Sequence, residues 1–287
     1  MVVGEEPEAQ LAPYHEFECT GDDDQYVQDI DITADVRERA EGKPEDWEGG
    51  GSEPRGLTRA LSYHGLDERI VSDESEVERK EKHKYGYAVV KEGKLIKAVN
   101  RTNPNKKWDW YVLGGRWNGF FLLKNGERSN QARHGDVDFR GMRDQKAAEA
   151  RKRYEMARAA LGDAPEPRTW DSIREEHAGN IDAARNAFHA QDAYVRARKV
   201  EELTWASFDA ALHEFYWPIE RYIDRARRIA LAPFALVRDG NWYERGRMGW
   251  FGCVADEKDQ GDWLREVDAL LESLPTSTLL SLYDCHI

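Results

Sequence analysis

"KYGYAVVKEGKLIKAVNR", Lys84 to Arg101, is the stretch that decides the fold class. Two runs rich in β-branched and aromatic residues flank "KEGK", and Gly93 offers the positive φ that a tight hairpin turn requires. The pattern predicts an antiparallel hairpin. Upstream, "PYHEFECT" (Pro13 to Thr20) sets Phe17 and Cys19 against Glu16 and Glu18, and predicts a strand near 14–19. "YVQDIDIT" (Tyr26 to Thr33) sets Ile30 and Ile32 against Asp29 and Asp31 and predicts another. Between them and the hairpin lie an acidic, Gly- and Pro-rich loop over 41–56 and a short helix in "LTRALSYHGL" closed at Gly65.

Downstream, "WDWYVL" and "WNGFFLL" continue in extended character around "GGR". From about 141 to 232 the chain turns to Ala-, Arg- and Glu-rich helical periodicity, broken at Pro165 and Pro167 and kinked or restarted at Pro218. "FALVRDGNWYERG" predicts a second hairpin, "DWLREVDALLESL" an amphipathic helix and "STLLSLYDCHI" a last strand. The expected architecture is α+β: one antiparallel sheet of ferredoxin-like type with helices on one face, built from 1–140 and 233–287, with 141–232 as a large α-helical insertion. Strands near 14–19, 85–91, 94–100, 234–238 and 278–284 are expected to share that sheet.

A chain of 287 residues can bury an ordinary core without metal or disulfide staples, and its three cysteines have no paired spacing and read as free thiols. It contains no apolar run of the roughly 18–20 residues a membrane span needs and no leader pattern, so a cytoplasmic location is expected, with no membrane partner. The net charge of −13 is uneven: residues 1–82 carry −15, residues 83–140 carry +7. An acidic body disfavours direct nucleic-acid binding, while the basic segment can still attract one anionic ligand.

That basic segment holds "KWDWYVLGGRWNGFF", Lys107 to Phe121. Gly114 and Gly115 permit close backbone approach and an amide nest, Arg116 supplies a planar cation, and Trp108, Trp110, Tyr111 and Trp117 offer ring faces. With Arg101, Lys106 and Lys107 just upstream, the group suits a nucleotide-like small molecule. The competing reading makes the aromatics core, Gly-Gly a turn, and Arg116 the partner of Asp109.

A second constellation is Glu16, Asp29, Asp284 and His286. If their strand faces coincide, oxygen ligands plus an imidazole could hold Mg²⁺ or Mn²⁺ for phosphohydrolase or nuclease chemistry; if not, they are the wet faces of strands. No Walker loop, GxGxxG fingerprint, serine elbow or HExxH occurs, and no cofactor is expected. A third reading has the acidic first 82 residues occupy a basic groove of a host protein as a nucleic acid would.

"PYHEFECTG" with "YVQDIDIT", "GYAVVKEGKLIKAVNRTNPNKKWDWYVLGGRWNGFF", "FALVRDGNWYERGRMGW" and the terminal "DCHI" together resemble a group of uncharacterised proteins carried by bacteriophages and prophages. The resemblance covers most of the chain outside 141–232 and attaches no activity to it. It implies a bacterial host cell and an accessory role, such as countering host defence; the expectation is a binding protein without assigned catalysis.

Overall fold

The computed structural model describes residues 1–16, 24–42, 56–203, 210–249 and 253–286. In chain order, β1 (Val2–Val3) and α1 (Pro7–Leu11) precede β2 (Gln28–Asp31), α2 (Thr33–Glu41) and α3 (Gly56–Tyr63). Next come β3 (Ile70–Val71), β4 (Gly86–Lys91) and β5 (Lys94–Thr102), then β6 (Trp110–Leu113), β7 (Phe121–Leu122), β8 (Arg128–Ser129) and β9 (Gln131–Arg133). Helices α4 (Phe139–Leu161), α5 (Trp170–Glu176), α6 (Ile181–Ala190), α7 (Asp192–Ala197) and α8 (Ile219–Ile229) follow. They lead to β10 (Ala235–Arg238), β11 (Asn241–Glu244), β12 (Arg247–Met248), β13 (Val254–Ala255), α9 (Gln260–Ser273), β14 (Leu279–Ser281) and β15 (Tyr283–His286). The chain is α+β, and no helix among the described residues is long and apolar enough to cross a membrane.

The hairpin at 84–101 forms as β4 and β5, with Glu92 at φ 49° and Gly93 at φ 75° across its turn. Positive φ at both central residues matches the right-handed twist of the strands, which is why "EG" serves there. Both faces of β4 are buried. Ala88 packs with Leu95 and Ala98 under α2 and α3, while Tyr87 and Val89 pack with Val71 and Val99 on the other side. Thr33 ties α2 to this sheet, since its hydroxyl accepts the Ala98 amide at 2.8 Å.

The single sheet expected from the sequence is divided. β2 covers the outer edge of β5 and β3 covers that of β4, giving a four-stranded sheet in the order β2-β5-β4-β3 with no inner edge left for the C-terminal strands. The second hairpin, β10–β11, belongs instead to a five-stranded sheet in the order β11-β10-β1-β14-β9. These two orders are not the ferredoxin-like pairing. Its central strand, Val2–Val3, runs parallel to β10 and antiparallel to β14; two residues are too short to display a period.

The strand expected near 14–19 is replaced where it is described. Ala12–Tyr14 is a 3-10 turn with Pro13 as its second residue, where its fixed φ suits a first helical turn, and His15 makes one parallel bridge to Trp108. Phe17, Glu18 and Cys19 lie outside the described residues, as does most of the acidic loop expected over 41–56. The last strand splits at Leu282: its amide donates to the Asn130 carbonyl, its carbonyl accepts from the Gly114 amide, and the chain steps from the five-stranded sheet into the β6–β15 pair.

Helix α4 starts on an Asp138 cap, whose carboxylate accepts from the Gly141 amide, and closes at Gly162 with φ 55°. Its 23 residues span roughly 35 Å and join two cores. Near its start, Met142 packs with Phe121, Trp263, Val267 and Leu280 against the five-stranded sheet; near its end, Ala157 and Leu161 pack with Tyr194, Leu212 and Phe215. Pro165 and Pro167 fall in the non-helical link after α4, and Pro218 sits immediately before α8, where a missing N–H costs nothing. The helical stretch thus lies between β9 and β10, two strands of one sheet.

Candidate functional site

A groove of about 1800 Å³ opens at one end of the five-stranded sheet. Glu244, Ala235, Met1 and Leu282, at or beside the ends of four successive strands, line it, Met1 and Leu282 from the face that carries Leu236 and Leu280, Glu244 from the opposite face that carries Trp242 and Val237. One wall is the 3-10 turn Gly115–Trp117 with Asn118 and the first turns of α4; the other is Lys106–Asp109 with β11.

Arg116 stands on the first wall and is held from beneath. Its Nε donates to both oxygens of Asp284, at 3.1 and 2.9 Å, its Nη2 donates at 2.6 Å, and its backbone amide donates to Oδ2 at 2.9 Å. The Asp284 side chain is 5% exposed and that of Arg116 is 64% exposed, so a buried carboxylate fixes one edge of an open guanidinium. Nη1, on the other edge, has no protein partner among the described residues. The Arg116 hydrogen bonds hold the Asp284 carboxyl below its usual range, against the opposing effect of burial. Trp117, 56% exposed, is the next residue of the same 3-10 turn and also lines the groove.

The glycines explain themselves through these contacts. Gly115 has φ 50°, and a Cβ there would stand 2.4 Å from Asp284 Cβ; Gly114 has φ 79°, and a Cβ would meet the Asn130 amide at 2.4 to 2.6 Å. Gly-Gly is needed because two side chains press against this backbone. Most of the amides expected to form a nest are engaged from within: the Arg116 amide serves Asp284, the Gly114 amide serves Leu282, and the Gly119 amide serves Asn130 Oδ1 at 2.6 Å.

The other expected ligand-binding residues divide. Lys106 pairs with Glu16 and Lys107 with Glu244 at 2.7 Å, both on the second wall. Trp108 is core: 6% exposed, it packs with Leu11, Val237 and Tyr283 and borders the groove. Trp110 is exposed and not among the groove-lining residues, and it stacks on His286 with centroids 3.8 Å apart. Arg101 is not part of the site. It lies at the end of β5, 10% exposed, paired with Asp24 at 3.2 Å and reaching Asp29 at 4.0 Å. Asp109 is not the partner of Arg116; its Oδ1 accepts the Trp110 amide.

The metal constellation is not assembled. Glu16 is engaged by Lys106, Asp29 by Arg79 at 2.6 Å, Asp284 by Arg116 and His286 by Trp110. Among the described residues no three His, Cys, Asp or Glu side chains are grouped to hold a metal ion. β2 and β15 belong to different sheets.

Several groove residues escaped the sequence reading. Trp242 donates its indole N–H to Glu244 at 2.8 Å, and Tyr14 tilts against the same indole with centroids 5.2 Å apart. Arg128 donates to the Gly119 carbonyl and to Gln145 on α4, bracing the first wall. None lies near "KWDWY" in sequence, and only the hairpin prediction around Trp242 hinted at an ordered position. On the floor, burial raises the Cys285 thiol to about 11, and burial together with the bond to Glu8 at 2.5 Å raises the Tyr283 hydroxyl well above its ordinary value. Neither is poised as a nucleophile at neutral pH. No protein-family model matches the chain, nor does any curated protein or solved structure.

Proposed function

We propose that this chain is a non-catalytic binding protein for an anionic, nucleotide-like small molecule, taken up in the groove beside Arg116. The observation that carries this reading is the half-committed guanidinium: Asp284 holds one edge and Nη1 is left free among the described residues, on a 3-10 turn whose next residue is an exposed tryptophan. A preorganised arginine loses little freedom on meeting a phosphate or carboxylate, and an exposed indole on the same turn suits a stacked base. Tyr283 and Cys285, whose hydroxyl and thiol burial pushes up, stay protonated at neutral pH, and Asp284 is already committed to Arg116, which supports binding over turnover. The phage accessory context, including action against host defence, has its support in the motif resemblance alone and belongs to this proposal.

The test is a thermal-shift and calorimetric titration with AMP, ADP and inorganic phosphate. Binding without product formation is expected, and saturating ligand at 100-fold its Kd should stabilise the protein by about 2.7 kcal/mol. Trp117→Ala, at an exposed position, should weaken nucleotide binding with an unchanged melting temperature. A wild-type protein whose melting none of these ligands shifts contradicts the reading.

A further inference from the structure

On one side of the five-stranded sheet the groove reaches the largest core. Met1, Met142 and Leu282 line it while packing in that core, and Phe120 and Ala232, half-buried, line it and pack against the same cluster. All five belong to one side of the sheet, and Val2, Val237 and Tyr283 pack on the other. Arg116 stands on the first side too. Leu282 packs in the one core and Tyr283 and Cys285 in the other, so alternation returns Asp284, with the guanidinium it holds, to the side of Leu282. The chain then runs from Arg116 through Trp117 and Gly119 to Phe120, which joins the cation to the apolar wall.

The walls of this cleft select hydrocarbon. A base placed among Met1, Phe120, Met142 and Leu282 would leave its polar edge unpaired, whereas an aliphatic group removes apolar surface from water on both partners. Methionine adapts its shape to such a guest, and Ala232 contributes a small side chain. The polar rim on α4 is engaged within the protein: Gln145 accepts from Arg128 at 2.6 Å, and Lys146 pairs with Glu149 at 3.0 Å. Arg116 keeps Nη1 without a protein partner among the described residues, so charge complementarity fixes the anion there and leaves the cleft to an uncharged group.

Resting on the reading of Arg116 as the anion contact of a nucleotide, we propose that the ligand is a nucleotide whose phosphate carries an aliphatic group. The phosphate meets the free edge of Arg116, the nucleoside stays on the side of the exposed Trp117, and the aliphatic group enters the cleft between Phe120 and Met142. Each methylene that is fully buried there raises affinity by up to roughly fourfold.

The experiment is calorimetry of the full chain with the methyl, butyl and octyl esters of AMP, which carry the same charge and differ only in the alkyl group. We expect affinity to rise along the series, the octyl ester binding at least tenfold more tightly than the methyl ester. Ala232→Phe, which narrows the cleft, should bring methyl and octyl esters within about twofold; Phe120→Ser, which removes apolar wall, should do the same if the first variant does not fold. Equal wild-type affinities along the series overturn the aliphatic assignment and leave the Arg116 site standing; binding of none of the three, nor of AMP, to folded protein overturns both. Octyl phosphate binding as tightly as the octyl ester overturns the nucleotide as occupant, and folded variants that keep the full preference overturn the cleft.

Discussion

Replacing Arg116 with alanine probes a residue that is exposed and structural at once. Asp284 is buried at 4% exposure, and the substitution removes every side-chain donor to it, leaving only the backbone amide of position 116. A fully exposed pair contributes at most ~1 kcal/mol, and breaking a fully buried one costs about 3–5 kcal/mol. With one partner buried and the other open to water, the expected loss is roughly 2 kcal/mol at pH 7, in line with hydrogen bonds to charged groups. For a protein of this size that lowers Tm by about 4–8 °C.

Two controls separate the charge from the packing. In Arg116→Ala/Asp284→Asn the buried charge is gone and the backbone amide still has an acceptor, so about 1 kcal/mol should return relative to Arg116→Ala. The folded pKa of Asp284 is depressed, chiefly by its Arg116 hydrogen bonds, so its contribution is complete above the unfolded carboxyl value near ~3.9 and is lost as pH falls through the folded value. The gap between wild type and Arg116→Ala, measured by urea denaturation, should therefore be full at neutral pH and close in acid. An Arg116→Ala protein that melts within about 1 °C of wild type at pH 7, or a gap that persists unchanged in strong acid, would refute the clamp.

Gly115→Ala should cost more than about 2 kcal/mol, because it adds a Cβ 2.4 Å from that of Asp284 to a left-handed φ that itself costs about 1–2 kcal/mol; Gly93→Ala, with open space around its Cβ, should cost only the latter. Burial lowers the pKa of His83, whose Nδ1 accepts the Glu78 amide, so stability should decline as pH falls below ~6.5, where the unfolded chain begins to bind the extra proton; His83→Asn, which keeps an acceptor at the Nδ1 position, should flatten the urea midpoint between pH 7 and 5. Cys253 is exposed and Cys285 is partly buried with its thiol raised to about 11, so maleimide labelling at pH 7.5 followed by peptide mass mapping should find Cys253 modified rapidly and Cys285 only on unfolding.

Local chemistry made much of this protein readable along the chain. "KEGK" and "RDGN" specify their hairpins because only a few residues accept two successive positive φ angles, and β4–β5 and β10–β11 form where those signals fall. The apolar period of 141–232, its proline breaks, and α9 were legible for the same reason: each signal lies within one turn or one helix. The conspicuous segment around Arg116 was legible as unusual, but not as to which of its aromatics are core. Trp108 and Trp117, nine residues apart, have opposite fates, since burial is decided by what packs from elsewhere. Only the tertiary structure brought Asp284 under Arg116, 168 residues away, and made Gly115 a necessity of that contact. It also placed Val2–Val3, too short for any period, at the centre of the sheet whose strand ends form the groove. Strand pairing and convergent side chains depend on long-range closure, and a local pattern carries no record of which distant edge will be free to receive it.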